Sequence, residues 1–131
     1  MDTINVIYVE PGKEARVIEM KDELSEMQKL VGGYIEEYMP FEDDVALICN
    51  DEGKILGLPL NRSIKDGDGS VTEVIAGSFF ICDCSTDEFG SLSQEQLDKY
   101  TEMFKNPEEF YRVAGAILAV PYTPTTPGAE R

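Results

Sequence analysis

The chain has 131 residues, 42% of them hydrophobic, with 26 acidic and 11 basic side chains, no histidine and a formal charge of −15. That length matches one domain built on one core. The missing imidazole excludes Ser-His-Asp and Cys-His nucleophiles, zinc deaminase sites and histidine metal centres.

Residues 4–9 form a β-branched run stopped by Pro11-Gly12, and residues 15–20 read as a returning strand, so the opening predicts a hairpin. Leu24, Met27, Leu30 and Val31 fall at helical spacing, with Gly32-Gly33 as the stop. Residues 34–39 alternate weakly and predict a short strand ending at Pro40. Residues 45–49 read as a buried strand, turned by Asn50-Asp51-Glu52-Gly53, with 54–58 as its hairpin partner. Asp66-Gly67-Asp68-Gly69-Ser70 is a turn, and 74–82 is the most apolar strand, expected at the sheet centre. Ser93 and Gln96 make a capping box, Leu92 and Leu97 a hydrophobic staple, and Tyr100, Met103 and Phe104 continue that helix face. Asn106 as cap, Pro107 and Glu109 predict a second helix running to about residue 118. The order predicts an α+β domain over residues 1–120, with a mainly antiparallel sheet and helices packed on one face. The Pro/Thr-rich segment 121–131 is expected to be a flexible tail.

No apolar run approaches the ~20 residues of a membrane span, and no basic-then-apolar leader opens the sequence. The three cysteines, at positions 49, 82 and 84, suit reduced thiols better than a disulfide framework. The expected compartment is the cytoplasm. A calcium-loop alignment of Asp66 and Asp68 puts Ile64 and Ile75 at the first and twelfth positions, so two key ligands are missing and a hairpin turn is expected instead. No Walker A or Gly-x-Gly-x-x-Gly sequence is present. Carboxylates alone point to no reaction, and neither an enzyme, a metal nor a cofactor is expected.

Gly57-Leu58-Pro59-Leu60-Asn61-Arg62 is the sharpest local signal. Pro59 stiffens the segment, Asn61 offers donors and an acceptor, and Arg62 offers a planar fork of five donors. A small-ligand pocket and a buried structural ion pair both use such a pair. The acidity is also uneven, with eleven acidic residues between Glu19 and Glu52 against Lys21 and Lys29 alone. Such a field repels nucleic acid and anionic membranes and favours basic partners, besides keeping the chain soluble.

Val9-Glu10-Pro11-Gly12, Leu30-Val31-Gly32-Gly33-Tyr34-Ile35-Glu36, Ala46-Leu47-Ile48-Cys49-Asn50-Asp51-Glu52-Gly53 and the Gly57–Arg62 motif together resemble a family known only as a domain of unknown function, with Ile75-Ala76-Gly77-Ser78-Phe79-Phe80-Ile81 fitting the same pattern. The resemblance spans about residues 4–108. It implies carriage by phages, prophages and conjugative elements, and hence a bacterial host cell. Accessory proteins of such elements are often counter-defence factors. As a nucleotide sponge, the chain would bring Gly33 close to a ligand and stack Tyr34 on a base. Glu36 would accept from ribose hydroxyls, Asn50 and Asn61 would read a base edge, and Arg62 would clamp a phosphate beside Pro59. A homo-oligomer is expected in that case. As an acidic DNA mimic, the chain would instead present Glu36-Glu37, Glu42-Asp43-Asp44 and Asp51-Glu52 to a basic host restriction or CRISPR nuclease. A structural module of a mobile-element operon is a further alternative.

Overall fold

β-branched and aromatic residues buried on both faces need a sheet covered on both sides, and the strands of this chain carry them. The computed structural model describes residues 2–124. Within it, Thr3–Val9 (β1) and Arg16–Lys21 (β2) form the predicted hairpin. Leu24–Val31 (α1) follows and stops at Gly32, which caps it in the left-handed region at φ 81°. Ile35–Tyr38 (β3) and Val45–Asn50 (β4) pair antiparallel. Leu60–Lys65 (β5) and Val71–Ala76 (β6) form a separate two-stranded sheet, and Phe79–Asp83 (β7) returns to the first one. Gln94–Met103 (α2) starts at Ser93 with both halves of the capping box in place. Glu108–Val113 (β8) and Ala116–Pro121 (β9) close the chain as a third sheet.

The main sheet has the order β2-β1-β7-β4-β3, antiparallel at every pairing. The fold is α+β with a mainly antiparallel sheet, as the element order predicts, and β7 is its central strand. The helices, however, lie on opposite faces. Met27 and Val31 of α1 pack with Val6, Ile48 and Phe80, whereas Leu97 and Tyr100 of α2 pack with Ile7, Leu47, Phe79 and Ile81. Successive strand residues point to opposite faces, and β1, β4 and β7 are apolar at nearly every position, so one covered face would leave the other exposed. Ile64 and Ile75 bring the β5–β6 hairpin onto the α2 face.

Four other expectations are corrected. The apolar run 74–82 is two strands in different sheets, broken at Gly77 (φ 86°), whose added Cβ would lie 2.7 Å from Leu58 Cδ1. Residues 54–58 form turns instead of a partner for β4, which pairs with β3 and β7. The second helix is the β8–β9 hairpin, turned by Ala114 (φ 52°) and Gly115 (φ 83°). Two successive positive φ values make the type I′ turn that matches strand twist. The Asn106-Pro107 signal was outweighed by Phe110, Tyr111, Val113, Ile117 and Val120, which favour strands, and by a glycine in the helix interior. The tail begins later than expected: Pro121 belongs to β9 and Tyr122 N donates to Pro107 O at 2.9 Å. Residues 125–131 of the expected tail lie outside the described residues.

Candidate binding site

The Asn61-Arg62 pair lies inside strand β5, not on a loop. A register shift between Leu60 and Arg62 interrupts the alternation of that strand, and both side chains end up 1% exposed. Arg62 directs its whole fork at carbonyl oxygens. Nε and Nη2 donate to Phe104 O at 3.2 and 3.1 Å, Nη2 also to Lys13 O at 2.5 Å, and Nη1 to Asn61 O and Oδ1 at 3.2 and 2.9 Å. A guanidinium has five N–H groups, so none is left for a phosphate. The charge is instead met by the C-terminal end of α2, where Phe104 is the cap and its carbonyl carries the negative end of the helix dipole. Burial pulls the Arg62 pKa down, and the nearby Glu108 carboxylate pulls it back up. No carboxylate among the described residues lies within ion-pair distance of Arg62. Both readings of this residue, phosphate clamp and ion pair, are therefore replaced by a carbonyl-bound hub.

Asn61 is equally occupied. Its Nδ2 donates to Val9 O and Gly77 O, both at 2.9 Å, while Oδ1 accepts from Arg62. It has no edge free for a base. The motif thus ties β1, the turn after it, the β6–β7 junction and the end of α2 to one strand. Pro59 sits apart, exposed on the loop before β5, beside a shallow depression shared with Gly32, Leu58 and Gly77.

Gly33, Tyr34, Glu36 and Asn50 do come together, at the β3–β4 margin. Asn50 is buried at the end of β4, where Nδ2 donates to Val31 O (3.2 Å) and Oδ1 accepts from Glu52 N (2.8 Å). A Cβ on Gly33 would stand 2.8 Å from that Nδ2, so the close approach its glycine permits is to Asn50. Tyr34 uses its carbonyl to accept from Asp51 N and leaves its side chain 71% exposed. Glu36 borders a cleft of about 330 Å³ together with Tyr38, Cys49, Asp51, Ile55 and Glu73. Lys54, also on the rim, is paired with Glu73. The cleft is therefore negative. Burial, then Glu36, Glu73 and Asp51, push the Cys49 thiol up to about 11. Cys49, Cys82 and Cys84 are all free thiols.

The surrounding surface carries Glu36 and Glu37 on edge strand β3, Glu42 and Asp44 before β4, and Asp51 and Glu52 after it, all exposed. None of these six forms an ion pair among the described residues. Successive strand residues point to opposite faces, so Glu36 and Glu37 carry charge to both faces of the edge strand, which also blocks edge-to-edge aggregation. Asp43 differs: it accepts from Lys99 Nζ at 2.9 Å and from the Tyr100 hydroxyl at 2.7 Å. Those two bonds hold its carboxyl below the ordinary range. It belongs to the α2 contact and drops out of the expected Glu42-Asp43-Asp44 array.

A depressed folded pKa contributes stability above the unfolded value of ~3.9, lost as pH falls through the folded value. Asp43→Asn is accordingly expected to melt below the parent at neutral pH, with the gap closing as the solution is acidified below about pH 4. Thermal melts of both proteins across pH check this, and a gap independent of pH would remove charge as its cause.

Asp66 anchors the β5–β6 turn by accepting from Asp68 N and Ser70 N at 2.9 and 3.0 Å, the hairpin arrangement expected in place of a calcium loop. Among the described residues no three Asp, Glu or Cys side chains gather as a metal site, and no helix is long and apolar enough to cross a membrane.

The buried role of Arg62 had no signature in the motif itself. The register shift that produces it depends on β6, and its acceptors lie 42 and 49 residues away. A family model described as Domain of unknown function (DUF3846) matches residues 4–105. No curated protein and no solved structure matches the chain.

Proposed function

The chain belongs to the DUF3846 family, whose description carries no activity, and on that premise we propose that it is a non-catalytic binding protein of a phage or other mobile element that engages a basic surface of a host defence protein. The observation that carries this reading is the set of six exposed, unpaired carboxylates at the β3–β4 margin. The cation expected to hold an anionic ligand is buried and fully bonded. Carboxylates spread over an edge strand and its flanking turns present a field of phosphate-like sign to a nucleic-acid-binding groove. Electrostatic complementarity of this kind speeds encounter and weakens with salt.

The test uses the full chain against a panel of restriction and CRISPR nucleases, scored by DNA cleavage in low and physiological salt. The expected result is inhibition of at least one nuclease, relieved by salt. It should weaken by about tenfold or more in a quadruple variant Glu36→Gln, Glu37→Gln, Glu42→Gln, Asp44→Asn, since tenfold corresponds to only ~1.4 kcal/mol. Inhibition untouched by these four changes, or a panel with no inhibition, counts against the proposal.

Sequestration of a nucleotide-type signal is the second reading, moved from Arg62 to the β3–β4 cleft. The exposed ring of Tyr34, on the turn that leads into the strand bordering the cleft, favours it, and the cleft's negative charge opposes it. A thermal shift with cyclic dinucleotides or cyclic ADP-ribose isomers, lost in Tyr34→Ala and kept in a triple variant Glu37→Gln, Glu42→Gln, Asp44→Asn that leaves Glu36 in place, would favour this reading over the first.

A further inference from the structure

From the β8–β9 hairpin, a surface distinct from the acidic margin, we infer a self-association arm through which two copies of this chain join edge to edge along β9. The hairpin lies beyond the residues matched by the family model and forms its own two-stranded sheet. Two isolated strands are marginal in water and gain stability from further strands or a packed face. Its base is held to the domain by Glu108, which accepts from Ser63 N and Oγ and pairs with Lys65, while Tyr122 N to Pro107 O closes the hairpin's own ends. Arg112, Ala116 and Ile117 share a cavity with Leu60 and Val71 on one face, and the other face packs on nothing that hydrogen-bonds to it among the described residues. Register places Tyr111 opposite Leu118 and Val113 opposite Ala116, with Val120 on the same face. Tyr111, Val113, Leu118 and Val120 are 38–54% exposed. Apolar residues grouped on one exposed face, unlike ones scattered singly over a surface, point to an interaction site.

Charge selects a second copy as the occupant. Residues 113–126 contain no charged side chain, in a chain of net charge −15. Two such chains repel wherever their carboxylates meet, and β9 offers a strand-length contact free of them. A basic partner gains nothing from this neutral strand.

The backbone is suited to a two-fold contact. A two-residue turn closes on the hydrogen-bonded pair Val113–Ala116. Alternate residues Ala116, Leu118 and Val120 therefore direct their N–H and C=O groups to β8, and Ile117 and Ala119 direct theirs to the open edge. Among the described strands β9 pairs with β8 alone. Antiparallel pairing about an axis at Leu118 sets Ile117 of each copy opposite Ala119 of the other. Both exchange hydrogen bonds, and the two Leu118 side chains meet at the centre. Pro121, which has no N–H, falls outside the bonded stretch. The result is a four-stranded sheet of order β8-β9-β9-β8, whose central strands meet through Ala116, Leu118 and Val120, with Tyr111 and Val113 beside them and Glu109 at each outer end of that face. The contact is small against the ~800 Å² per partner of a standard interface, so a weak, concentration-dependent dimer is expected.

Sedimentation velocity of the full chain over a concentration series tests this, at low and at high salt. Expected are a reversible monomer–dimer equilibrium, strengthened by salt because screening reduces the repulsion between acidic chains, and dissociation constants raised about tenfold or more in Leu118→Lys and in Ala119→Pro. The proline removes an N–H that β8 does not use, so the hairpin itself is retained. Circular dichroism and melting temperature establish that each variant is folded. A parent that stays monomeric throughout overturns the inference, as does a dimer indifferent to both substitutions. A dimer that dissociates with added salt assigns the contact to another, charged surface and overturns it equally.

Discussion

Arg62→Ala is expected to lose about 3–5 kcal/mol of folding stability, the largest effect of any single substitution outside the apolar core. The loss has two sources. Truncation opens a cavity in a site where the side chain is 1% exposed. It also leaves Phe104 O, Asn61 O and Asn61 Oδ1 without this donor at buried positions, and Lys13 O without it at a partly buried one. Buried polar groups left unpaired cost roughly 1–3 kcal/mol each before relaxation. Arg62→Lys keeps the charge but replaces a planar fork by a point donor, which cannot span Phe104 and Lys13 together, and is expected to recover less than half of the loss. Urea unfolding with an unchanged m-value checks both variants. A loss below about 1 kcal/mol for Arg62→Ala would mean that the hub does not hold the fold together.

Asn61→Ala is expected to cost about 2–4 kcal/mol, because it strips one donor from the carbonyls of Val9 and Gly77 and an acceptor from Arg62 at the same time. Asn61→Asp separates these functions. The carboxylate still accepts from Arg62 but cannot donate to Val9 O or Gly77 O, so it is expected to remain clearly destabilised. The two side chains act as a unit, and the double variant with Arg62→Ala should cost less than the sum of the single changes by about 1 kcal/mol or more. Strict additivity in the same unfolding assay would argue against a shared cluster. These outcomes bear on any ligand assay too. A nucleotide response lost in Arg62→Ala would report a weakened fold and would not locate a binding contact.

Local signals were legible wherever the deciding contacts are near in sequence. The capping box at Ser93 and Gln96, the left-handed stop at Gly32 and the first hairpin all follow from neighbours close in sequence. The β8–β9 hairpin shows how a valid local signal loses. Asn106-Pro107 does begin a helix in many contexts, but the five β-branched and aromatic residues of the two strands and one two-residue turn outweigh it. The placement of the two helices on opposite faces was readable in principle from the unbroken apolar runs of β1, β4 and β7, which cannot be satisfied from one side.

The candidate site divides along the same line. Glu36 and Asn50 sit on two strands joined by a short connection, with Gly33 and Tyr34 in the turn just before the first, and their proximity follows from one hairpin register. Asn61 and Arg62 were conspicuous because of their chemistry, yet chemistry does not say whether a fork of donors faces a phosphate or a carbonyl.

By itself the sequence determined the α+β class, the absence of imidazole chemistry, the acidic field, the C-terminal stop of α1 and the N-cap of α2, since these depend on composition and on interactions a turn or a strand long. Only the tertiary structure decided that the Asn61-Arg62 pair is a buried hub, that Asp43 belongs to α2, and that the acidic margin and the neutral β9 edge are the surfaces left open. The first two outcomes depend on contacts between residues more than forty positions apart, where burial and geometry, set by the whole chain, choose among partners that local chemistry leaves equivalent.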